Sequence, residues 1–353
     1  MKNQFLPSLL LLLTYLTGPA LFAQAPAGPS SVYTNPLKPS GPDPWVLQRD
    51  GWYYYMNTTG HNLTLYRTRN MGELAQAEHK VIFTPPPGTG YSKEVWAPEI
   101  HHLDGSWYIY FSADSATNIS HRVWVLENRA ADPFTDNWTV KGKIGDKDDH
   151  WAIDLSVFAF RGKRYAVWSG WEGRKNGRQD IFIGELSNPW TLKKGRRYKI
   201  AQPEYDWEKH GDVPEEWQRR GEVPQIWVNE GPEALQRNGR LFLAYSANAC
   251  WLDYCLGLLT YRGRGSLLKA KNWIKSPQPV FTQAPEHGVW APGHGGFFVD
   301  SQGQDWMIYH ANPSPTDGCG NKRAPHIQPF TWTADGTPNF GRPIPKTPAP
   351  VPQ

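Results

Sequence analysis

Glu230 stands in Trp227-Val228-Asn229-Glu230-Gly231-Pro232-Glu233-Ala234, where an apolar run leads into a carboxylate and a Gly-Pro break follows at once. An acid in such a place loses hydration unless it has a partner or a task. Three further acids are placed alike: Asp43 in Gly41-Pro42-Asp43-Pro44-Trp45, Glu99 in Trp96-Ala97-Pro98-Glu99 and Asp154 in Trp151-Ala152-Ile153-Asp154. His294, in Trp290-Ala291-Pro292-Gly293-His294, takes the same place once more. Carboxyls from separate stretches can divide acid–base work, one holding a proton for a leaving group while another, ionised, accepts one from a nucleophile. A single acid of this kind is more often a structural hydrogen-bond partner. Recurrence at one place in a repeat reverses that balance.

The elements that must position these residues recur five times. Gly51-Trp52-Tyr53-Tyr54-Tyr55-Met56 is a turn followed by an aromatic strand. Gly105 to Ser112, Gly162 to Ser169, Gly239 to Ser246 and Gly303 to His310 repeat it, with the turn glycines 54 to 77 residues apart by number. A third strand follows each copy: Leu63-Thr64-Leu65-Tyr66, Val123 to Leu126, Ile181 to Gly184, Leu256 to Leu259 and the weaker Ile327 to Trp332. A short first strand precedes each, and no long segment carries helical periodicity. The pattern predicts an all-β chain, a five-bladed β-propeller spanning residues 32–345 as one domain. A β-sandwich is the alternative, but it does not predict five near-equivalent strand triplets. In a propeller the first strand of every blade lines the central channel, so equivalent strand starts converge at one mouth. Each of the five polar residues lies six to nine residues ahead of its turn glycine.

Other features bound the partners. Net charge is +4 with Lys and Arg scattered, which gives no footprint for nucleic acid. The 18 Trp, 16 Tyr and 14 Phe suit an aromatic-rich β core, and some can stack on sugar rings. Lys2, the apolar run Leu9 to Leu16, the Gly18-Pro19 break and Leu21-Phe22-Ala23-Gln24-Ala25 read as a signal peptide over residues 1–23, cut after Ala23 or Ala25. No Cys lies near that site, so no lipid anchor is expected. No later run is long enough to span a bilayer, so a secreted or periplasmic protein, free of the membrane once the signal is removed, is expected. Cys250, Cys255 and Cys319 allow one disulfide and one free thiol, and spacing does not choose the pair. Residues 346–353 read as a Pro-rich tail, and the insert Glu204 to Gly221 as part of a pocket rim.

Carboxyls spread around a channel mouth suit glycoside hydrolysis. Inversion needs roughly 6.5–9.5 Å between acid and base to admit a water, a spacing available across blades and not along one strand. The chain resembles glycoside hydrolase family 43 over nearly its whole mature length. That family is a five-bladed propeller of inverting enzymes acting on arabinose- and xylose-containing polysaccharides. The resemblance implies that Asp43, in Gly41-Pro42-Asp43-Pro44-Trp45, is the general base. It implies that Glu230, in Asn229-Glu230-Gly231-Pro232, is the general acid. Asp154, in Ile153-Asp154, would tune and orient that acid. Gly293-His294-Gly295 resembles a Gly-His motif beside one calcium or sodium ion near the propeller axis; no organic cofactor is implied. Arg323 matches an arginine that reaches the non-reducing sugar, and Trp96 a tryptophan that walls the pocket. Ile153 joins the substrate-contacting set, and Trp171 is a second candidate stacking surface. Glu99 and Glu233 are read as structural.

The ending Phe330 to Gly341 resembles members that remove single α-L-arabinofuranose units, and the chain stops in Pro343 to Gln353 without an added domain. The expectation is therefore a monomeric, inverting, exo-acting α-L-arabinofuranosidase of plant arabinan or arabinoxylan. A β-xylosidase or endo-α-1,5-arabinanase of the same fold is the alternative enzyme. A non-catalytic sugar-binding propeller is the alternative from another class, and three separated acids argue against it.

Overall fold

Turn chemistry sets the hairpins. Gly51, Gly105, Gly162 and Gly239 have φ of 73 to 79°, and the residue before each, Asp50, Asp104, Arg161 or Asn238, has φ of 49 to 52°. Two consecutive left-handed residues make the two-residue turn whose twist matches the flanking strands. The register agrees, pairing Arg49 with Trp52, Leu103 with Ser106, Phe160 with Lys163 and Arg237 with Arg240.

The computed structural model describes Met1 and residues 32–210, 226–248, 250 and 253–353. The leader, its cleavage sites and the far part of the insert, 211–221, lie outside the described residues. The chain is all-β. A terminal strand β1 (Val32–Tyr33) precedes a first sheet of β2 (Trp45–Arg49), β3 (Trp52–Met56), β4 (Leu63–Thr68) and β5 (Glu78–Phe83). A second sheet holds β6 (Lys93–Leu103), β7 (Ser106–Asp114), β8 (Arg122–Asn128) and β9 (Thr139–Ile144). The third unit is β10 (Ala152–Phe160), β11 (Lys163–Gly170) and β12 (Arg178–Asn188), with β13 (Thr191–Leu192) and β14 (Tyr198–Ala201) paired to β12. The fourth is β15 (Trp227–Arg237), β16 (Arg240–Ala247), β17 (Cys255–Tyr261) and β18 (Trp273–Lys275). Two parallel pairs, Arg178 with Trp227 and Gln179 with Val228, join the third unit to the fourth as one nine-stranded sheet. The fifth unit is β19 (Trp290–Val299), β20 (Asp305–Asn312) and β21 (Ala324–Pro329). The hairpin pair β22 (Thr331–Trp332) and β23 (Pro338–Asn339) follows it, and β24 (Ala349–Pro350) ends the order.

The apolar cores lie between consecutive units. Tyr54 and Leu65 of the first unit pack with Trp107 and Phe111 of the second. Tyr110 and Val125 of the second pack with Val157 and Trp168 of the third. Val167 and Ile183 meet Leu243 and Tyr245, and Phe242 and Leu258 meet Met307 and Tyr309. Tyr53 and Tyr55 of the first unit then pack with Phe298 and Trp306 of the fifth. Full burial of each large side chain stabilises by about 1.5–3 kcal/mol, so these contacts fix the order of the units. The first strands follow the same cycle: β2 lies against β6, β6 against β10, β10 against β15, β15 against β19, and β19 against β2.

The segment expected as a tail pairs with the start of the described chain, Pro350 with Val32 and Ala349 with Tyr33. Val351 enters the core between the fifth and first units. Among the described residues no helix is long and apolar enough to cross a membrane.

Candidate active site

The first strands of the second to fifth units, β6, β10, β15 and β19, carry an irregularity at the same place. The ladder runs through Trp96–Ser112, Ile153–Ser169 and Glu230–Ser246, then resumes at Glu99–Tyr110, Ser156–Val167 and Glu233–Ala244. The residue after the break is left-handed: φ is 43° at Ala97, 56° at Asp154 and 53° at Gly231. Asp43 at 52° and His294 at 36° occupy the same place in the first and fifth units. A bulge frees the backbone N–H from the ladder, and here a neighbouring unit receives it. Ala97 donates to Thr58 Oγ1 (2.7 Å), Asp154 to Ser112 Oγ (3.0 Å) and Gly231 to Asp154 Oδ2 (3.2 Å). His294 donates to Ser246 Oγ (2.8 Å) and Asp43 to His310 Nδ1 (3.1 Å). Left-handed backbone costs a non-glycine residue roughly 1–3 kcal/mol and concentrates at functional sites.

This register corrects one sequence expectation. Asp43, Asp154 and His294 are equivalent, but Glu230 lies one residue before the bulge and Glu99 two residues after it. Glu99 is thus the counterpart of Ser156 and Glu233, buried and off the cavity wall, and Ala97 occupies the bulge in the second unit. Glu99, Asp154, Glu230 and His294 also lie inside their strands rather than ahead of them.

Asp43, Glu230, His294, Trp96, Ile153 and Arg323 line one cavity of about 530 Å³, within the range of small-molecule sites. Asp43 is 8 % exposed, and its carboxylate is ringed by donors. Arg323 Nη1 lies 2.8 Å from Oδ1, and Thr58 Oγ1 donates to Oδ2 at 2.6 Å. Burial alone would push Asp43 up, but Arg323, His294, His310 and Thr58 together hold it well below the usual carboxylate range. Burial lowers both imidazoles, so at neutral pH the permanent charge on Asp43 is that of Arg323.

Asp154 is 5 % exposed and lies behind the pocket wall. Burial, then the charges of Glu230 and Asp43, pushes its carboxyl well above the usual range. Ligating atoms of Asp154, Glu230 and His294 all fall within 4.8 Å of one another. His294 Nδ1 is 3.5 Å from Asp43 and 3.8 Å from Asp154, so it bridges the two. Glu230 Oε1 accepts a 2.8 Å hydrogen bond from Tyr254, whose ring stacks on His310 at 5.5 Å and 4°.

Of the aromatic candidates, Trp96 is on the wall, stacked on His121 at 4.0 Å. Trp171 is not. It is 2 % exposed and stacks at 4.6 Å and 7° behind Trp151, which takes the wall position. The near part of the insert is also not at the rim. Glu208, fully buried, binds Lys275 Nζ at 2.6 Å, Tyr245 at 2.9 Å and Asn229 at 3.1 Å, so it braces the residue before Glu230. Thr58, Tyr254, His310 and Trp151 were not singled out in the sequence. His310 carried a signal: it stands in the second strand where other copies have Ser112, Ser169 and Ser246, and like Ser112 and Ser246 it accepts from a bulge. Tyr254 carried none.

An all-β chain that gathers an ionised carboxylate, a separate carboxyl pair and aromatic walls in one pocket has the parts of a sugar-hydrolysing enzyme. The family model of Glycosyl hydrolases family 43 matches residues 33–338, and the chain belongs to that family. It is 36% identical over 337 residues to an extracellular exo-α-(1→5)-L-arabinofuranosidase of Streptomyces avermitilis, covering 93% of this chain and 67% of that one. A Streptomyces chartreusis protein of the same name is 38% identical over 304 residues, covering 85% of this chain and 87% of that one. The crystal structure of an α-L-arabinofuranosidase from Lactobacillus brevis superimposes with a TM-score of 0.80 at 36% identity, over 89% of this chain and 98% of that one.

Proposed function

We propose that this protein is an extracellular, inverting, exo-acting α-L-arabinofuranosidase that releases single arabinofuranose units from arabinan or arabinoxylan. The names of the similar proteins support the substrate class. One observation carries the chemistry: Asp43 and Glu230 face one cavity in opposite electrostatic settings, Asp43 against a fixed cation and Glu230 beside a buried acid.

Asp43, ionised, takes a proton from a water that attacks the anomeric carbon. Glu230 gives its proton to the glycosidic oxygen as the bond to the anomeric carbon breaks. The sugar leaves with inverted configuration, as β-arabinofuranose. Asp154 and Glu230 titrate as a unit. The mutual repulsion of the two carboxyls favours keeping a proton on the pair, and Glu230 is the member that faces the cavity. Trp96, Ile153 and Arg323 bound the sugar; Trp171 backs Trp151.

We read the five units as the five blades of a propeller. The cyclic contact of first strands, the cores between consecutive units and the five equivalent left-handed residues support this. The ion implied by the family likeness would sit at His294, with water filling most of its oxygen shell, since two carboxylates and one imidazole are too few donors. It would supply fixed positive charge beside Asp154 and Glu230. A leader over residues 1–23 accounts for export.

Proton NMR of the first product on an arabinofuranoside tests the reading. β-Arabinofuranose is expected; an initial α product would overturn it. Product profiles on linear arabinan separate single-unit release from internal cutting.

A further inference from the structure

Cys250 and Cys319 form a disulfide across 69 residues, with their Cα atoms 4.9 Å apart, and Cys255 is a buried thiol. Both half-cystines line the cavity that holds Asp43 and Glu230. From each, the chain runs four residues to a side chain that holds one of those two carboxyls. Tyr254 donates to Glu230 Oε1 at 2.8 Å. Arg323 Nη1 donates to Asp43 Oδ1 at 2.8 Å.

The connections are short on the Arg323 side. Its Nε donates to the carbonyl of Gly320, the residue after Cys319, at 3.2 Å. The same guanidinium therefore touches both the base and the residue beside the disulfide. Arg323 O also accepts from Gly41 N at 2.9 Å, two residues before Asp43. On the other side, Asp253 O, next to Tyr254, accepts from Asn248, which also donates to Trp207 O. The disulfide thus joins the loop after β16 to the loop before β21, and each loop ends on a hydrogen bond to one carboxyl.

We propose that the Cys250–Cys319 disulfide is a positioning element of the reaction: it sets Tyr254 on Glu230 and Arg323 on Asp43 in a single frame, and so keeps proton donor and base at working separation. This rests on the roles given above to Asp43 and Glu230. Tyr254 and Arg323 act through those carboxyls. Removing the bond leaves both carboxyls in place and lets their partners shift independently.

The test compares a para-nitrophenyl arabinofuranoside, whose leaving group needs little protonation, with an arabinofuranosyl disaccharide, whose leaving group needs it fully. In the Cys250→Ser/Cys319→Ser double variant, kcat falls about tenfold on the aryl substrate and about a hundredfold on the disaccharide, the scale of a small misplacement in a reacting site. Tyr254→Phe reproduces only the extra loss on the disaccharide. Combining it with the double variant costs less than the sum, because both changes act on Glu230. Equal losses on the two substrates, or a lower Tm with both kcat values retained, would make the disulfide a stability element only and overturn the proposal.

Should the double variant not fold, the wild-type enzyme is reduced below its unfolding temperature with a water-soluble phosphine. The phosphine becomes its oxide with oxygen from water, and two thiols form in addition to that of Cys255. The same substrate pattern is then expected, and the same flat pattern overturns the proposal. Glu230→Gln separates this inference from its foundation. If that variant hydrolyses the disaccharide normally, both fail. If it is inactive while the disulfide-free enzyme keeps both rates, only the positioning role fails.

Discussion

Glu230 and Glu233 are three residues apart on one strand, yet they live in opposite surroundings. Glu230 faces the cavity, accepts from Tyr254 and lies beside Asp154. Glu233 is 6 % exposed, accepts from Ser156 Oγ at 3.0 Å and lies beside Glu99. Burial, then the charge of Glu99, favours the protonated form of Glu233, away from the residues that line the cavity. His101 Nε2, 2.8 Å from Glu99, closes that network. The same residue type is placed for reaction in one layer and for packing in the next. The bulge at Gly231-Pro232 separates the two layers.

The largest test of this contrast is Glu230→Gln. Losing the proton donor should lower kcat/KM about 10²–10⁴-fold on an unactivated arabinoside, and much less on an aryl substrate. Equal loss on both substrates would remove Glu230 from the donor role.

Arg323→Ala comes next, with a loss of about 10–100-fold, the scale of an ionic hydrogen bond to a buried carboxylate. Asp43 acts ionised, and Arg323 is the permanent charge that holds it down. Without it the Asp43 carboxyl rises, so the acidic limb of the kcat/KM profile moves to higher pH. An unmoved acidic limb would show that Asp43 is not the group titrating there.

Asp154→Asn should cost about tenfold, less than the roughly 10²–10⁴-fold of general acid–base catalysis itself, because Asp154 tunes the donor without transferring the proton. Burial and then Glu230 push Asp154 up, and the repulsion is mutual. Removing it weakens the hold of Glu230 on its proton. The alkaline limb therefore moves to lower pH; a shift to higher pH would break the pairing.

Glu233→Gln is expected to be the mildest change, with kcat within about threefold, since general acid–base work is not removed. Its effect belongs to stability. Burial and then Glu99 hold the Glu233 carboxyl well above the usual range in the folded protein. Such a group contributes stability that is intact below its unfolded value, about 4.3, and lost as pH rises through the folded one. Glutamine keeps an N–H for Glu99 at every pH. Calorimetry should therefore show the wild-type Tm falling more than the variant's between about pH 5 and pH 8. A tenfold kcat loss at unchanged Tm would merge the two layers that the structure separates.

The sequence by itself determined the all-β class, the hairpin turns and the set of polar residues from which the site is drawn. Turn glycines, alternating aromatic strands and short acid motifs are local signals, written in consecutive residues. It also carried Asp43, Glu230, Arg323, Trp96 and Ile153 to one cavity by likeness of motif. Only the tertiary structure decided depth and partnership. Bulges shift the register of four first strands, so counting back from the turn glycines misplaced Glu99, which shares its level with Glu233. A stacking pair shows one face to the cavity and one to the core, and the fold gave the open face to Trp151 and the buried one to Trp171. His310 of the fifth unit reached Asp43 of the first, the Cys250–Cys319 bond joined the fourth unit to the fifth, and Tyr254 reached Glu230 from across the fourth. The contacts of His310 with Asp43 and with Tyr254 arise only when the cores between consecutive units bring distant segments together.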